Sequence, residues 1–166
     1  MTASANPIHD PPHSGPPHSR PLHTCEQFAF TADASLEVTW PLFGANEERV
    51  WAPDWNPVFV WPVNAFDQEG MVFKVPHGDK AAVWVNTALD RATNRIQYVY
   101  VLPDVVVTVI TLQLTPMAQS THVSVTYSRT ALEVAANDLV REMAGQDRGA
   151  GREWDLQINT YLRRGR

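Results

Sequence analysis

Glu48, Arg49 and Asp54 stand close together in the run Glu47-Glu48-Arg49-Val50-Trp51-Ala52-Pro53-Asp54-Trp55-Asn56-Pro57, and Tyr98, Tyr100 and Tyr127 supply hydroxyls further along. These are the groups able to give or take a proton. A carboxyl pushed into an apolar cavity has a raised pKa and serves as a general acid. Each residue also has an ordinary use. Arginine more often pairs with a nearby acid, and tyrosines on a strand are more often amphipathic core residues with satisfied hydroxyls. Other chemistries lack their signatures: the chain has no nucleophile elbow, no His-Glu-x-x-His motif, no phosphate-cradling glycine loop and no dinucleotide fingerprint.

The same run is too rich in proline for a helix interior, and its tryptophans are too large to leave in water. It either plugs one end of a core or forms the rim of a ligand cavity, with Glu47, Glu48, Arg49 and Asp54 as polar groups at an apolar mouth.

What must position these groups is one domain. The chain has 166 residues, 44% hydrophobic and 19% charged, enough for a sizeable single core. A formal net charge of −5 argues against a nucleic-acid backbone as partner. The basic cluster Arg163, Arg164 and Arg166 reads as a solvated tail. Cys25 is the only cysteine, which excludes an intrachain disulfide and a Cys-based zinc site and suggests a reducing, cytoplasmic setting. The first residues lack a basic and apolar export pattern, and the apolar run from Tyr98 to Leu114 is broken by Pro103-Asp104.

Residues 1–23 alternate prolines with His9, His13, His18 and His23 and have few apolar anchors. They are expected to form a disordered leader, with the domain over residues 24–166. A first strand begins near Cys25, and Asp33 or Ser35 starts a short helix that Pro41 limits. After Pro62 the pattern alternates in runs separated by short turns, which implies an antiparallel meander. Met71 and Phe73, then Trp84, then Tyr98 and Tyr100, then Ile110 and Leu112 are expected to share the inner face. Thr130-Ala131-Leu132-Glu133 has the form of a capping box, although Thr130 also suits a strand end. Leu132, Ala135, Ala136, Leu139 and Met143 follow at helical spacing. Trp154, Ile158, Tyr161 and Leu162 resume the stripe beyond Gly145, Gly149 and Gly151, where a kink is expected.

In this order the chain resembles the SRPBCC family of the START-like superfamily, polyketide cyclase/dehydrase-like and lipid-transport-like proteins. The segments that carry the resemblance are Pro41-Leu42-Phe43, Glu48-Arg49-Val50-Trp51, Trp55-Asn56-Pro57, Gly70-Met71-Val72-Phe73, Val83-Trp84-Val85, Val125-Thr126-Tyr127 with Thr130-Ala131-Leu132, and Glu153-Trp154 through Tyr161-Leu162. The resemblance spans roughly residues 24–164. It implies an α+β helix-grip fold: a curved antiparallel sheet wrapped around a long C-terminal helix, with an apolar cavity between them. Oxygenase domains of the superfamily hold iron with two histidines and a carboxylate. Outside the leader this chain has only His77 and His122, both of surface type, so neither a metal nor another cofactor is expected.

The expected function is binding or carriage of an apolar small molecule, with Met71, Phe73, Trp84, Tyr98, Tyr100, Ile110 and Leu112 as the cavity lining. One alternative is a cyclase- or dehydratase-like enzyme acting on a polyketide or aromatic substrate through Glu48, Arg49 or Asp54. Another is a protein-interaction module whose groove takes a partner segment. Neither nucleic acid nor a membrane span enters any of these.

Overall fold

A computed structural model describes residues 20–165. Seven strands form one antiparallel sheet: β1 (His23–Ala32), β2 (Val58–Trp61), β3 (Val72–His77), β4 (Lys80–Asp90), β5 (Arg95–Leu102), β6 (Val106–Pro116) and β7 (Thr121–Ala131). Their order is β1-β7-β6-β5-β4-β3-β2, so the meander runs from β2 to β7 and β1 closes on the last strand. A short helix α1 (Leu36–Thr39), two 3-10 turns at Trp40–Phe43 and Glu47–Val50, and the Trp51–Pro57 loop join β1 to β2. The chain ends in the 28-residue helix α2 (Asn137–Arg164). This is the α+β class expected from the sequence.

Alternation decides the inner face, as period-2 patterning requires. Tyr98, Tyr100, Ile110, Leu112, Val123 and Val125 are all buried, while their strand neighbours are only partly buried or exposed. Strand β2 was not anticipated. Its Val58-Phe59-Val60-Trp61 has no polar alternation, and as an edge strand it leaves Val58, Val60 and Trp61 exposed.

Helix α2 begins six residues later than the Thr130–Glu133 pattern suggests. The strand runs through Ala131, a 3-10 turn covers Val134–Ala136, and no side chain caps the helix. The buried stripe is Val140, Ala144, Asp147, Gly151, Ile158 and Leu162; Leu132, Ala135, Leu139 and Tyr161 face out. The expected kink is not there, because the helix is continuous through its glycines. Gly151 has a different task. A Cβ at this position would stand 3.2 Å from the Phe28 side chain, so the missing side chain lets α2 lie against β1.

Two asparagines fasten α2 to the chain on either side of β1. Asn137 accepts from Leu22 N at 2.7 Å and donates to Arg20 O at 3.0 Å. Asn159 accepts from Asp33 N at 2.8 Å and donates to Thr31 O at 2.9 Å. The leader expected over residues 1–23 lies outside the described residues as far as residue 19. Residues 20–23 belong to the fold: Leu22 also accepts from Ala131 N at 2.8 Å, and His23 opens β1.

Candidate functional site

The turn Leu42–Ala45 gathers the rings that wall one end of the space between sheet and helix. Trp51 Nε1 donates to Leu42 O at 2.6 Å, Tyr98 Oη to Phe43 O at 2.9 Å, and Trp55 Nε1 to Ala45 O at 2.7 Å. The backbone can bend here because Glu48 N donates to Gly44 O and Trp51 N to Glu48 O, closing the Glu47–Val50 turn. Trp154 of α2 meets this group from the other side, with its ring 5.2 Å from that of Trp51 and 5.3 Å from that of Phe28.

Between them lies a cavity of about 240 Å3, bounded by the Trp51–Pro53 corner, Trp55, Trp84, Tyr98, Ile110, Leu112, Tyr127, Trp154 and Gln157, with Glu48 and Glu153 as its acids. A second space of about 190 Å3 lies on the far side of Trp84 and Tyr127, against Tyr100, Leu102, Arg129 and Met143. Outside, a groove of about 480 Å3 runs from Arg49 and the Trp51–Pro53 corner to Leu156, Thr160, Tyr161 and Arg164. It shares Trp51, Ala52, Pro53 and Gln157 with the inner cavity, so these four residues form the mouth.

Glu48 is the expected proton-active residue that reaches the cavity. Burial, reinforced by the nearby Asp67 carboxylate, pushes its carboxyl well above the usual range. Asp67 is itself raised, chiefly by burial, although Ala45 N donates to its Oδ1 at 3.1 Å. Gly44 makes room for it: a Cβ there would lie 1.9 Å from Asp67 Oδ2. Tyr98 and Tyr127 are both raised, first by burial and then by the charge of Glu48, so both phenols stay protonated. Tyr98 spends its proton on Phe43 O, whereas Tyr127 makes no hydrogen bond to another described residue.

Arg49 and Asp54 do not join Glu48. Arg49 points outward, donating to Asn46 Oδ1 at 3.1 Å and Pro57 O at 2.5 Å with its guanidinium over Phe59. Asp54 sits exposed at φ 63° on the loop. Of the expected lining residues, Trp84, Tyr98, Ile110 and Leu112 border the inner cavity, and Tyr100 with Trp84 borders the second. Met71 and Phe73 border neither. Their inward parity is right, but Trp55 and Phe59 fold over Phe73 at 6.0 and 5.9 Å and turn that corner into solid core.

A buried ion pair was not foreseen. Arg129 Nε and Nη2 donate to Asp147 Oδ2 and Oδ1 at 2.6 and 2.7 Å, and Nη1 donates to Thr108 Oγ1 at 3.0 Å and to the Tyr100 hydroxyl. Its guanidinium also lies 4.8 Å from the centre of the Tyr127 ring. Burial alone would lower the pKa of Arg129, but Asp147 and Tyr100 outweigh it and hold the group cationic. Each partner had a sequence signal: Arg129 interrupts the inward positions of β7, and Asp147 the inward stripe of α2. Among the described residues three further side chains are buried without partners at their polar atoms: Thr24 Oγ1, Trp84 Nε1 and the amide of Asn86. Among the described residues no cluster of three or more His, Cys, Asp or Glu could hold a metal ion, and no helix is long and apolar enough to cross a membrane.

The raised Glu48 sets a pH dependence. The folded state holds this proton more tightly than the unfolded chain does. Stability therefore falls as pH rises above the ordinary carboxyl value of 4.5 and levels off above the folded pKa. Glu48→Gln is expected to flatten that slope, gaining about 1–3 kcal/mol near pH 8 and little near pH 4. Denaturant midpoints measured across pH check this, and parallel profiles for the two proteins would refute it.

No protein-family model matches the chain, and no curated protein matches it in sequence. Solved structures do match in fold. Norcoclaurine synthase from Thalictrum flavum, as a point mutant with a transition-state analogue, is similar at a TM-score of 0.65 and 10% identity, over 88% of this chain and 98% of that one. The Zhui aromatase/cyclase from a Streptomyces species gives 0.62 and 14%, over 87% and 97%. A Rhizobium loti protein gives 0.59 and 17%, over 82% and 98%. The sheet and terminal helix described above are thus the helix-grip, SRPBCC-type fold.

Proposed function

We propose that the chain binds a small, ring-bearing apolar molecule in the cavity between the sheet and α2. The observation that carries this is the cavity itself: about 240 Å3 of space between sheet and helix, lined largely by indole and phenol rings and open at the Trp51–Pro53 corner. Its size narrows the ligand. Sites for drug-sized molecules run to about 300–1,000 Å3, so this one suits one or two rings rather than a long acyl chain. Burying about 200–300 Å2 of apolar ligand surface contributes about 5–8 kcal/mol before the entropy of association is charged.

An environment-sensitive apolar dye is expected to bind the native protein at one site. Ile110→Trp, which fills the floor of the cavity, should weaken that binding by about tenfold or more while the circular dichroism of the fold is kept. Equal affinity in the folded variant would place the dye elsewhere and sink the proposal.

One observation favours a second reading, a cyclase- or dehydratase-like enzyme. Glu48 holds a proton in the same cavity as the free hydroxyl of Tyr127, which is the equipment for protonating a carbonyl or a departing hydroxyl. The matched structures include one named an aromatase/cyclase. Turnover of a supplied substrate that disappears in Glu48→Gln, with dye affinity unchanged, would favour catalysis over carriage.

A further inference from the structure

The charges around the cavity narrow the ligand further, an inference that rests on the binding function proposed above. Two acids border the cavity, Glu48 and Glu153, and no base does. The nearby cations stay outside the cavity, and Arg164 lines only the outer groove. Arg49 is held outside by Asn46 and Pro57, and Arg129 is matched by Asp147 on the other side of Tyr127. Arg91 stacks over Trp40 at 4.3 Å, at the surface beyond Asp67. The groups that face Glu48 are Asp67 from the loop before β3, Tyr98 from β5, Tyr127 from β7 and Glu153 from α2; none is positive. The remaining wall consists largely of aromatic rings, whose faces carry negative potential and attract organic cations, most strongly where water is excluded.

We propose that the ligand is an organic cation of ring size, an ammonium or quaternary ammonium compound whose positive centre meets Glu48 and the rings of Trp51, Trp55 and Trp154. Burial and the Asp67 carboxylate hold the Glu48 carboxyl well above its usual range. Binding a cation favours the carboxylate, so one proton leaves Glu48 for solvent as the ion pair forms. A neutral ligand releases none.

Phenyltrimethylammonium, whose charge does not titrate, and its uncharged isostere tert-butylbenzene separate the possibilities. Calorimetry or dye displacement with the full chain, from about pH 5 to about pH 9, is the measurement. The cation is expected to bind about tenfold or more tightly than the isostere near pH 8. Its affinity should rise with pH until Glu48 ionises in the free protein, and its heat should depend on the ionisation enthalpy of the buffer. Glu48→Gln should remove the preference for the cation over the isostere. The pH and buffer dependences need no variant, so they stand even if Glu48→Gln folds poorly. Equal or tighter binding of tert-butylbenzene at every pH overturns the cation proposal while leaving small-molecule binding intact. Failure of both probes and of the apolar dye overturns binding itself.

Discussion

Asp147→Ala is expected to cost about 3–5 kcal/mol of stability, the usual consequence of removing one member of a buried ion pair. The side chains of Arg129 and Asp147 are only 7% and 8% exposed, and the pair joins β7 to the middle of α2. Without the carboxylate, the guanidinium keeps Thr108 and Tyr100 as acceptors but has no counter-charge. A loss of this size is a large share of the roughly 5–15 kcal/mol that holds a typical domain together. The double replacement Arg129→Met with Asp147→Leu should recover much of it, because two apolar chains of similar volume carry no desolvation penalty. Urea denaturation of both variants beside the wild type is the measurement. A single variant with a wild-type midpoint would mean that the pair contributes nothing to docking the helix.

Trp154→Ala should be comparably damaging, at about 3–5 kcal/mol, through lost packing instead of lost charge. Its ring contacts Phe28, Phe30, Phe43 and Trp51, so it ties the helix to β1 and to the turn that carries the cavity rim. The truncated side chain also leaves a hole continuous with the existing cavity. Added indole is therefore expected to bind the variant and raise its melting temperature, and to do so less in the wild type. A denaturation curve unchanged from wild type would show that α2 docks without this ring.

The sheet was legible where one face meets the core and the other does not. From Met71 to Tyr127 inward and outward residues alternate in the sequence itself, and the strands follow them. Edge strand β2 escaped notice because Val58 to Trp61 has no polar alternation to read. The register of α2 was misread for a related reason. Asp147 and Gly151 occupy buried positions that an apolar stripe should fill, so the eye moves to Leu139 and Tyr161, which face water.

Legibility of the site divides in the same way. Glu48 and the tryptophans beside it could be singled out because an acid among large rings is unusual. Which neighbour turns inward depends on the 3-10 turn at Glu47–Val50 and the positive φ of Asp54, and neither leaves a periodic trace. The partnership of Arg129 and Asp147 was hidden for want of any local pattern linking a strand to a helix.

The two asparagine fastenings set a fixed gauge on the molecule. Asn137 and Asn159 stand 22 positions apart, which spans about 33 Å of helix at ~1.5 Å per residue. The strand between their anchors needs about ten residues at ~3.3 Å to cover the same distance, and β1 has 10. Helix and strand thus run side by side like two rails bolted at both ends, and neither can slide without breaking both bolts. The Trp51–Pro53 corner, where groove and cavity meet, is held by neither bolt and is left free to serve as a way in. A single-residue deletion midway along β1 would shorten one rail alone and skew the frame, leaving every cavity residue in place in the sequence and the cavity itself out of true.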